Sequence, residues 1–108
     1  MKPEPPYFPT ALREMPEEER PRERLEKTGA SSLRDAELLA ILFRTGTPKM
    51  GAVKLAETVL SHFGGLRALS RASLEELQQV NGIGKVKAIE VKSALELGAR
   101  LAHFTESK

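Results

Sequence analysis

Apolar residues recur every three to four positions along most of the chain, which is the period of an α-helix. A nearly all-round apolar segment ending at Phe43 predicts a central core helix, and residues 52–63 predict a second helix. Two shorter helical segments follow, and a long helix over about residues 85–102 carries an apolar stripe. No segment alternates with period two for long enough to predict a strand. The pattern predicts an all-α fold of five or six helices.

Capping and breaking residues indicate where these helices begin. Pro21 suits the first turn of a short helix. Ser31 or Ser32 is expected to cap the core helix, because a serine hydroxyl can accept from the free amides of a first turn. Ser73 is expected to begin a later helix, with Glu76 in the capping-box position.

Prolines divide the chain into an arm and a domain. Residues 1–20 predict an extended proline-rich arm, residues 21–104 the folded domain, and residues 105–108 a short tail. No apolar run approaches the roughly 18 residues that a membrane span needs, and the arm lacks the apolar core of a signal peptide. We therefore expect a cytoplasmic protein without a membrane partner.

Composition leaves little material for catalysis. The 108 residues contain no cysteine, two histidines and one aspartate, Asp35. This excludes disulfides, thiolate nucleophiles and cysteine-ligated zinc. His62 and His103 are 41 positions apart, without a metal-binding spacing, and we expect both at or near the surface. The composition predicts a protein that is not an enzyme and uses no metal or cofactor.

Charge is unevenly distributed along the chain. The net charge is +2. Residues 31–108 hold 11 basic and 8 acidic side chains, a balance of +3, whereas residues 1–30 hold 6 basic and 7 acidic ones. Scattered surface cations usually form no more than a solvated face, so this excess permits a nucleic-acid partner without requiring one.

The most informative segment runs from Leu77 to Val91. Its pattern h-x-x-h-x-G-h-G-x-x-x-A-x-x-h, where h is apolar, resembles the helix-hairpin-helix motif at every defined position. The two glycines permit positive φ and leave the turn uncovered, and the apolar residue between them is expected to point inward. Free amides at the start of the next helix, beside two lysines, then suit a phosphate. The predicted contact residues are Asn81, Gly82, Ile83, Gly84, Lys85 and Lys87. The alternative is a plain helical hairpin whose glycines serve only the turn.

An earlier turn, residues 44–51, is a degenerate version of this unit. Gly46 and Gly51 are too far apart for the compact turn, and Pro48 lacks an amide donor. The residues that could still contact the backbone of a second strand are Arg44, Thr45, Gly46, Thr47 and Lys49. The alternative is a structural hairpin that only completes the core.

The two units also share a short sequence repeat. The pattern Val-Lys-x-x-Glu occurs at 53–57 and again at 86–90, which favours an internal duplication. A pair of such units resembles the tandem helix-hairpin-helix domain, which straddles the minor groove of duplex DNA.

Four segments together resemble the N-terminal domain of the RadC-like DNA-repair family, and they are residues 20–25, 33–47, 63–69 and 82–88. The most specific is LRDAELLAILFRTGT at 33–47. The resemblance, which covers about residues 16–102, implies a link to DNA repair. The family usually continues into a JAB/MPN metalloprotease-like domain with zinc-ligand histidines. The chain stops before that domain, and its own histidines match no part of that metal motif.

Three functions can be compared with these observations. The first is a non-catalytic module that binds duplex or branched DNA through its backbone, independently of sequence. The second is a protein-interaction or dimerisation module that uses the same hairpins to bind a second copy or a repair protein, with Leu66, Leu69 and Tyr7-Phe8 as apolar contacts. The third, a DNA glycosylase or lyase, is disfavoured because Val86 stands where such enzymes carry a lysine and no aspartate follows Asp35. Of the three, we expect the non-catalytic DNA-binding module.

Overall fold

The computed structural model describes residues 20–106, and these residues are mostly helical. The α-helices in this range are α1 (Pro21–Thr28), α2 (Asp35–Phe43), α3 (Ala52–Phe63), α4 (Leu66–Arg71), α5 (Leu74–Gln78) and α6 (Lys85–Glu106), with a 3-10 turn at Ala30–Ser32. Within these residues no strand forms, and an isolated backbone bridge joins Thr47 to Met50. The all-α class predicted from the apolar period is confirmed for the described part of the chain.

The predicted arm lies almost wholly outside the described residues, and so do Tyr7 and Phe8. At the other end, α6 continues to Glu106, past the predicted end near residue 102 and into the predicted tail. No proline interrupts residues 99–106, so nothing in the chain stops the helix earlier. Between residues 20 and 106, no helix combines the length and apolarity needed to cross a membrane.

The start of α2 differs from the prediction. Ser31 and Ser32 lie in the 3-10 turn, and the helix begins later, at Asp35. The Ser32 hydroxyl donates to the Gly29 carbonyl at 2.8 Å and so does not cap α2. The cap comes from Glu37, whose Oε1 accepts the Arg34 amide at 2.8 Å. A glutamate in the third helical position can reach back in this way without a serine at the cap.

The Ser73–Glu76 capping box forms as predicted. The Glu76 amide donates to the Ser73 hydroxyl at 3.0 Å, and the Ser73 amide donates to Glu76 Oε1 at 2.8 Å. These two bonds satisfy donors that the start of α5 would otherwise leave free. They hold in place the helix that leads into the second turn.

The core forms where α2 packs against α3 and against the first half of α6, with α4 and α5 closing its sides. The largest fully buried side chains come from five helices and are Phe43, Leu55, Val59, Leu69, Leu77 and Val91. Each contributes about 1.5–3 kcal/mol of transfer free energy on burial. The core therefore ties both turn-bearing hairpins into one body.

One prediction about apolar surfaces is wrong, and another is only partly confirmed. Leu69, an expected contact for a partner, is 0% exposed because α4 packs against α3 and α6, whereas Leu66 is 39% exposed. The last helix was expected to carry an apolar stripe, and of that stripe Ala88 is buried. Its large members are exposed, and they are Val86, Ile89, Leu97 and Leu101.

An ion pair that the sequence did not indicate fastens α1 to α2. The Arg24 guanidinium bonds to Glu37 on α2. It also donates to the Ser32 carbonyl at 2.9 Å. Glu37 is buried, so it needs this charge-assisted partner more than a solvated glutamate would.

Candidate nucleic-acid interface

The turn between α5 and α6 is compact because its own backbone closes it. The Val80 amide donates to the Leu77 carbonyl at 3.2 Å, and the Ile83 amide donates to the Val80 carbonyl at 2.9 Å. Ile83 points inward as predicted and is 4% exposed. Its amide is already paired, so Ile83 holds the turn and is not the phosphate donor that the sequence suggested.

Gly82 is required by the packing of this turn. Its φ is 100°, a conformation that side chains disfavour. A Cβ at this position would stand 2.7 Å from Thr47 Cγ2 and 3.0 Å from Leu55 Cδ1. The missing side chain at Gly82 is therefore explained by the fold, and it lets the two turns approach each other.

Gly84 is different, because the fold gives no reason for its missing side chain. Its φ is not positive, and a Cβ built on it meets no atom within 4 Å. It is exposed and directly precedes α6, and its carbonyl accepts the Ala88 amide at 3.0 Å. The amides of Gly84, Lys85 and Val86 have no acceptor within the described part of the chain. Open space thus lies over a row of free donors.

The turn between α2 and α3 is longer and is closed by reciprocal bonds. The Thr47 amide donates to the Met50 carbonyl at 2.8 Å, and the Met50 amide donates back at 3.2 Å. The Thr47 hydroxyl accepts from the amides of Lys49 and Met50 at 3.0 and 3.1 Å. A Cβ on Gly46 would lie 2.1 Å from the Met50 carbonyl oxygen. Gly46 therefore serves the turn itself.

Arg44 leaves α2 in an unusual backbone conformation. Its φ and ψ are 67° and −42°, and the Thr45 amide donates to the Phe43 carbonyl at 2.7 Å. This is a γ-turn centred on Arg44, of the kind that is rare and strained in proteins. The side chain is 62% exposed, and its Nη2 lies 3.0 Å from Glu90 Oε2 on α6. This ion pair links the turn after α2 to α6, the helix that follows the second turn.

The structure brings the two predicted turns into one surface. Lys87 Nζ lies 3.5 Å from Thr45 Oγ1, although the two residues are 42 positions apart. Thr47 packs on Gly82, and Arg44 pairs with Glu90. We call this region the two-turn surface, and its charged members are Arg44, Lys49, Lys85, Lys87 and Glu90. Four cations and one carboxylate leave it with a balance of +3.

Neither histidine belongs to the two-turn surface. Both are exposed, and His62 makes an edge-on contact with Phe63 at a centroid distance of 4.7 Å. Over residues 20–106, no group of three or more His, Cys, Asp or Glu side chains is placed to hold a metal ion. The chemistry that the two-turn surface offers is amide and cationic donors for an anion.

Sequence reasoning missed Glu90 as part of this surface. The signal that could have found it is the Val-Lys-x-x-Glu repeat, whose glutamates are Glu57 and Glu90. Each pairs with an arginine at one end of α2. Arg34 Nη1 lies 3.8 Å from Glu57 Oε2, and Arg44 pairs with Glu90 as described. The repeat thus marks equivalent ion pairs as well as equivalent helix positions.

These features define a small helical domain whose polar surface is built from two turns. Residues 12–89 match the family model described as UPF0758 N-terminal, so the chain belongs to the UPF0758 family. This is consistent with the resemblance to RadC-like proteins.

Several curated relatives are named UPF0758 proteins. The chain is 58% identical over 91 residues to one from Desulforamulus reducens, covering 84% of this chain and 40% of that protein. It is 56% identical over 97 residues to one from Moorella thermoacetica, covering 90% of this chain and 42% of that protein. It is 54% identical over 90 residues to one from Bacillus licheniformis, covering 83% of this chain and 40% of that protein. The chain thus spans about two fifths of the length of these relatives. No solved structure shows significant similarity to it.

Proposed function

We propose that this domain is a non-catalytic module that binds the phosphate backbone of DNA without reading base sequence. The observation that carries the proposal is Gly84. Its lack of a side chain is not needed by the fold, yet it leaves the amides of residues 84–86 uncovered. A phosphate oxygen at the start of a helix is bound by such amides and by the positive end of the helix dipole.

Lysines next to these amides supply the charge that a phosphate needs. Lys85 is exposed beside Gly84, and Lys87 follows half a helical turn later. The contact from Lys87 Nζ to Thr45 Oγ1 is long, at 3.5 Å, and a lysine has three donor hydrogens. Lys87 can therefore keep this contact and still donate to a phosphate.

The first turn supports a contact with a second strand. Thr45 and Lys49 are exposed, and Thr45 lies against Lys87. This side-by-side arrangement of two hairpin turns is what a tandem helix-hairpin-helix domain would present to the two strands across a minor groove. Backbone contacts of this kind position a protein on DNA but carry no base information. The proposed partner is accordingly duplex or branched DNA, and the resemblance to RadC-like proteins suggests a role in DNA repair.

A titration at low salt tests the proposal. Fluorescently labelled duplex, fork and single-stranded DNA are titrated with the protein, and anisotropy is measured. We expect micromolar binding to duplex or fork, the usual range of sequence-independent binding being about 10⁻⁴–10⁻⁶ M at physiological salt. Lys85→Glu with Lys87→Glu should abolish it. The variant should still fold, because acidic residues are favourable in the first turn of a helix.

The matched control is Arg67→Glu with Arg71→Glu, which changes the net charge equally. Both arginines are exposed on α4, which follows the opposite end of α3 from the first turn. This control should lose little affinity. Wild-type protein that fails to bind at about 100 μM, a concentration where sequence-independent binding is normally visible, would contradict the proposal. So would equal losses in the two double variants.

A second candidate function is protein interaction or dimerisation through the same turns. The observation that favours an interaction role lies elsewhere, on the second half of α6. There Leu97, Leu101 and Phe104 are 68%, 66% and 65% exposed, and exposed apolar patches often mark protein interfaces. Light scattering distinguishes the candidates. A dimer whose formation protects the amides of residues 82–84 or of the second half of α6 from hydrogen exchange would favour this second function.

A further inference from the structure

A second group of cations shares Arg44 with the two-turn surface. A cavity of about 150 Å³ opens between α1 and α2, and three arginines line it, Arg20, Arg22 and Arg44. Among the described residues of its wall, Glu23 is the acidic one, and the buried residues Pro21 and Ala40 are among its apolar lining. A water needs only about 10–15 Å³ of such space, so the cavity can admit a tetrahedral oxyanion.

The charges around the cavity favour an anion with several acceptor oxygens. Among the described residues of its wall, Arg22 and Arg44 offer guanidinium groups. A guanidinium presents its donors in a planar fork that matches two oxygens of a phosphate. Arg22 is exposed and Arg44 is 62% exposed, so a ligand can reach both.

The backbone of Arg44 is a separate observation that supports a ligand here. At a φ of 67° a glycine would sit with less strain than an arginine. The pair with Glu90 gives the arginine one structural role, but a partly exposed ion pair stabilises little and does not offset this strain. Strained residues of this kind are concentrated at sites that bind a ligand.

We propose that Arg22 and Arg44 form a subsite for one further phosphodiester of the DNA strand that contacts the two-turn surface. Arg44 belongs to both places, so a strand that contacts Thr45 and Lys87 can pass from the two-turn surface to the cavity at Arg44. The identity of the ligand rests on the proposed function, whereas the capacity to bind a phosphate does not. The subsite lengthens the DNA footprint from the turns to the start of α1.

The first arm of the test uses DNA and varies the salt concentration. The magnitude of the slope of log K against log salt concentration is about 0.9 for each phosphate of duplex DNA that the protein neutralises. Arg22→Gln should lower the slope by about this amount and weaken duplex binding about threefold to tenfold at low salt, because one phosphate is no longer neutralised. Arg71→Gln, at an exposed arginine on α4, is the matched control and should leave the slope unchanged.

The second arm uses inorganic phosphate without DNA, at constant ionic strength. Amide NMR signals of Arg22, Glu23 and Thr45 should shift in the wild type and shift less in Arg22→Gln. Unchanged slope in Arg22→Gln, in a protein that binds DNA, would overturn the subsite and leave the proposed function intact. Phosphate-dependent shifts in a protein that binds no DNA would overturn the phosphodiester assignment and contradict the proposed function, leaving a site for a free anion. If phosphate causes no shifts and Arg22→Gln leaves the salt slope unchanged, the subsite is overturned altogether.

Discussion

The turn after α2 and the turn after α5 meet at one surface but use glycine for different purposes. In the first turn, Gly46 is enclosed, and a Cβ there would collide with the Met50 carbonyl. In the second, Gly82 is enclosed but Gly84 faces open space. The comparison teaches that glycine in a turn is not itself a sign of a binding site. A binding site is indicated by a glycine that the fold does not require, when it lies next to amide donors that have no acceptor in the fold.

The largest expected effect is on stability, at Gly46. The Cβ of Gly46→Ala would lie 2.1 Å from a backbone oxygen, which cannot move aside as a side chain can. We expect a loss of about 3–5 kcal/mol in the free energy of unfolding, the range of severe steric substitutions. Urea denaturation followed by circular dichroism measures it. A loss below about 1 kcal/mol, the size of an ordinary substitution, would show that this turn is not closed as described.

Gly82→Ala should cost less, because part of its clash is with a side chain. The positive φ costs about 1 kcal/mol or more, and contact with Thr47 Cγ2 at 2.7 Å adds to it. We expect a total loss of about 2–3 kcal/mol in the free energy of unfolding. Thr47→Ser removes the methyl group and keeps the hydroxyl that accepts the two turn amides. When Thr47→Ser is combined with Gly82→Ala, it should restore about 1 kcal/mol of the free energy of unfolding, the size of coupling expected for residues in contact. Strictly additive losses would contradict the contact between the turns.

Gly84→Ala separates binding from stability. It should change the free energy of unfolding by less than about 1 kcal/mol, because no atom lies near the new Cβ and the position only precedes a helix. DNA affinity should fall about fivefold, the value of one obstructed hydrogen bond. Anisotropy and thermal unfolding on the same samples provide both numbers. A variant that is as stable and as tightly binding as the wild type would remove the main support for the proposed function.

The smallest stability change is expected for Arg44→Gly. The glycine relieves the strained backbone but gives up the pair with Glu90, which is partly exposed and so worth little, about 0–1 kcal/mol. The two effects should nearly cancel in thermal unfolding. Binding should not be preserved, because Arg44 contributes to both the two-turn surface and the cavity. A stable variant with an unchanged salt slope would exclude Arg44 from contact with DNA.

The helices were predictable because their signals are local. The bounds of α3 follow from its apolar period and the glycines at both ends, and the start of α5 follows from the Ser73–Glu76 box. The start of α2 was mispredicted because two serines compete with Glu37 for the same role, and only packing decides between them. Leu69 was misplaced because a leucine in a six-residue helix carries no signal for which side is covered.

The sequence predicted both turns of the candidate site and, through the resemblance to a tandem domain, that they act as a pair, but it did not predict the contacts between them. That Thr45 lies beside Lys87, 42 positions away, depends on how α2, α3 and α6 pack, and no local pattern encodes it. The difference between Gly82 and Gly84 also requires the structure, because the motif treats the two glycines alike. The γ-turn at Arg44 breaks the usual preference for glycine, and such exceptions are expected at functional or strained positions.

The most direct test of the central claim maps the contact itself. Amide NMR signals of the described domain are followed while a short duplex is added at low salt. The two-turn surface predicts the largest shifts at the amides of Gly84, Lys85 and Val86, with further shifts at Thr45. Saturating DNA that moves signals on α4 or on the second half of α6, and leaves those of residues 84–86 in place, would contradict it.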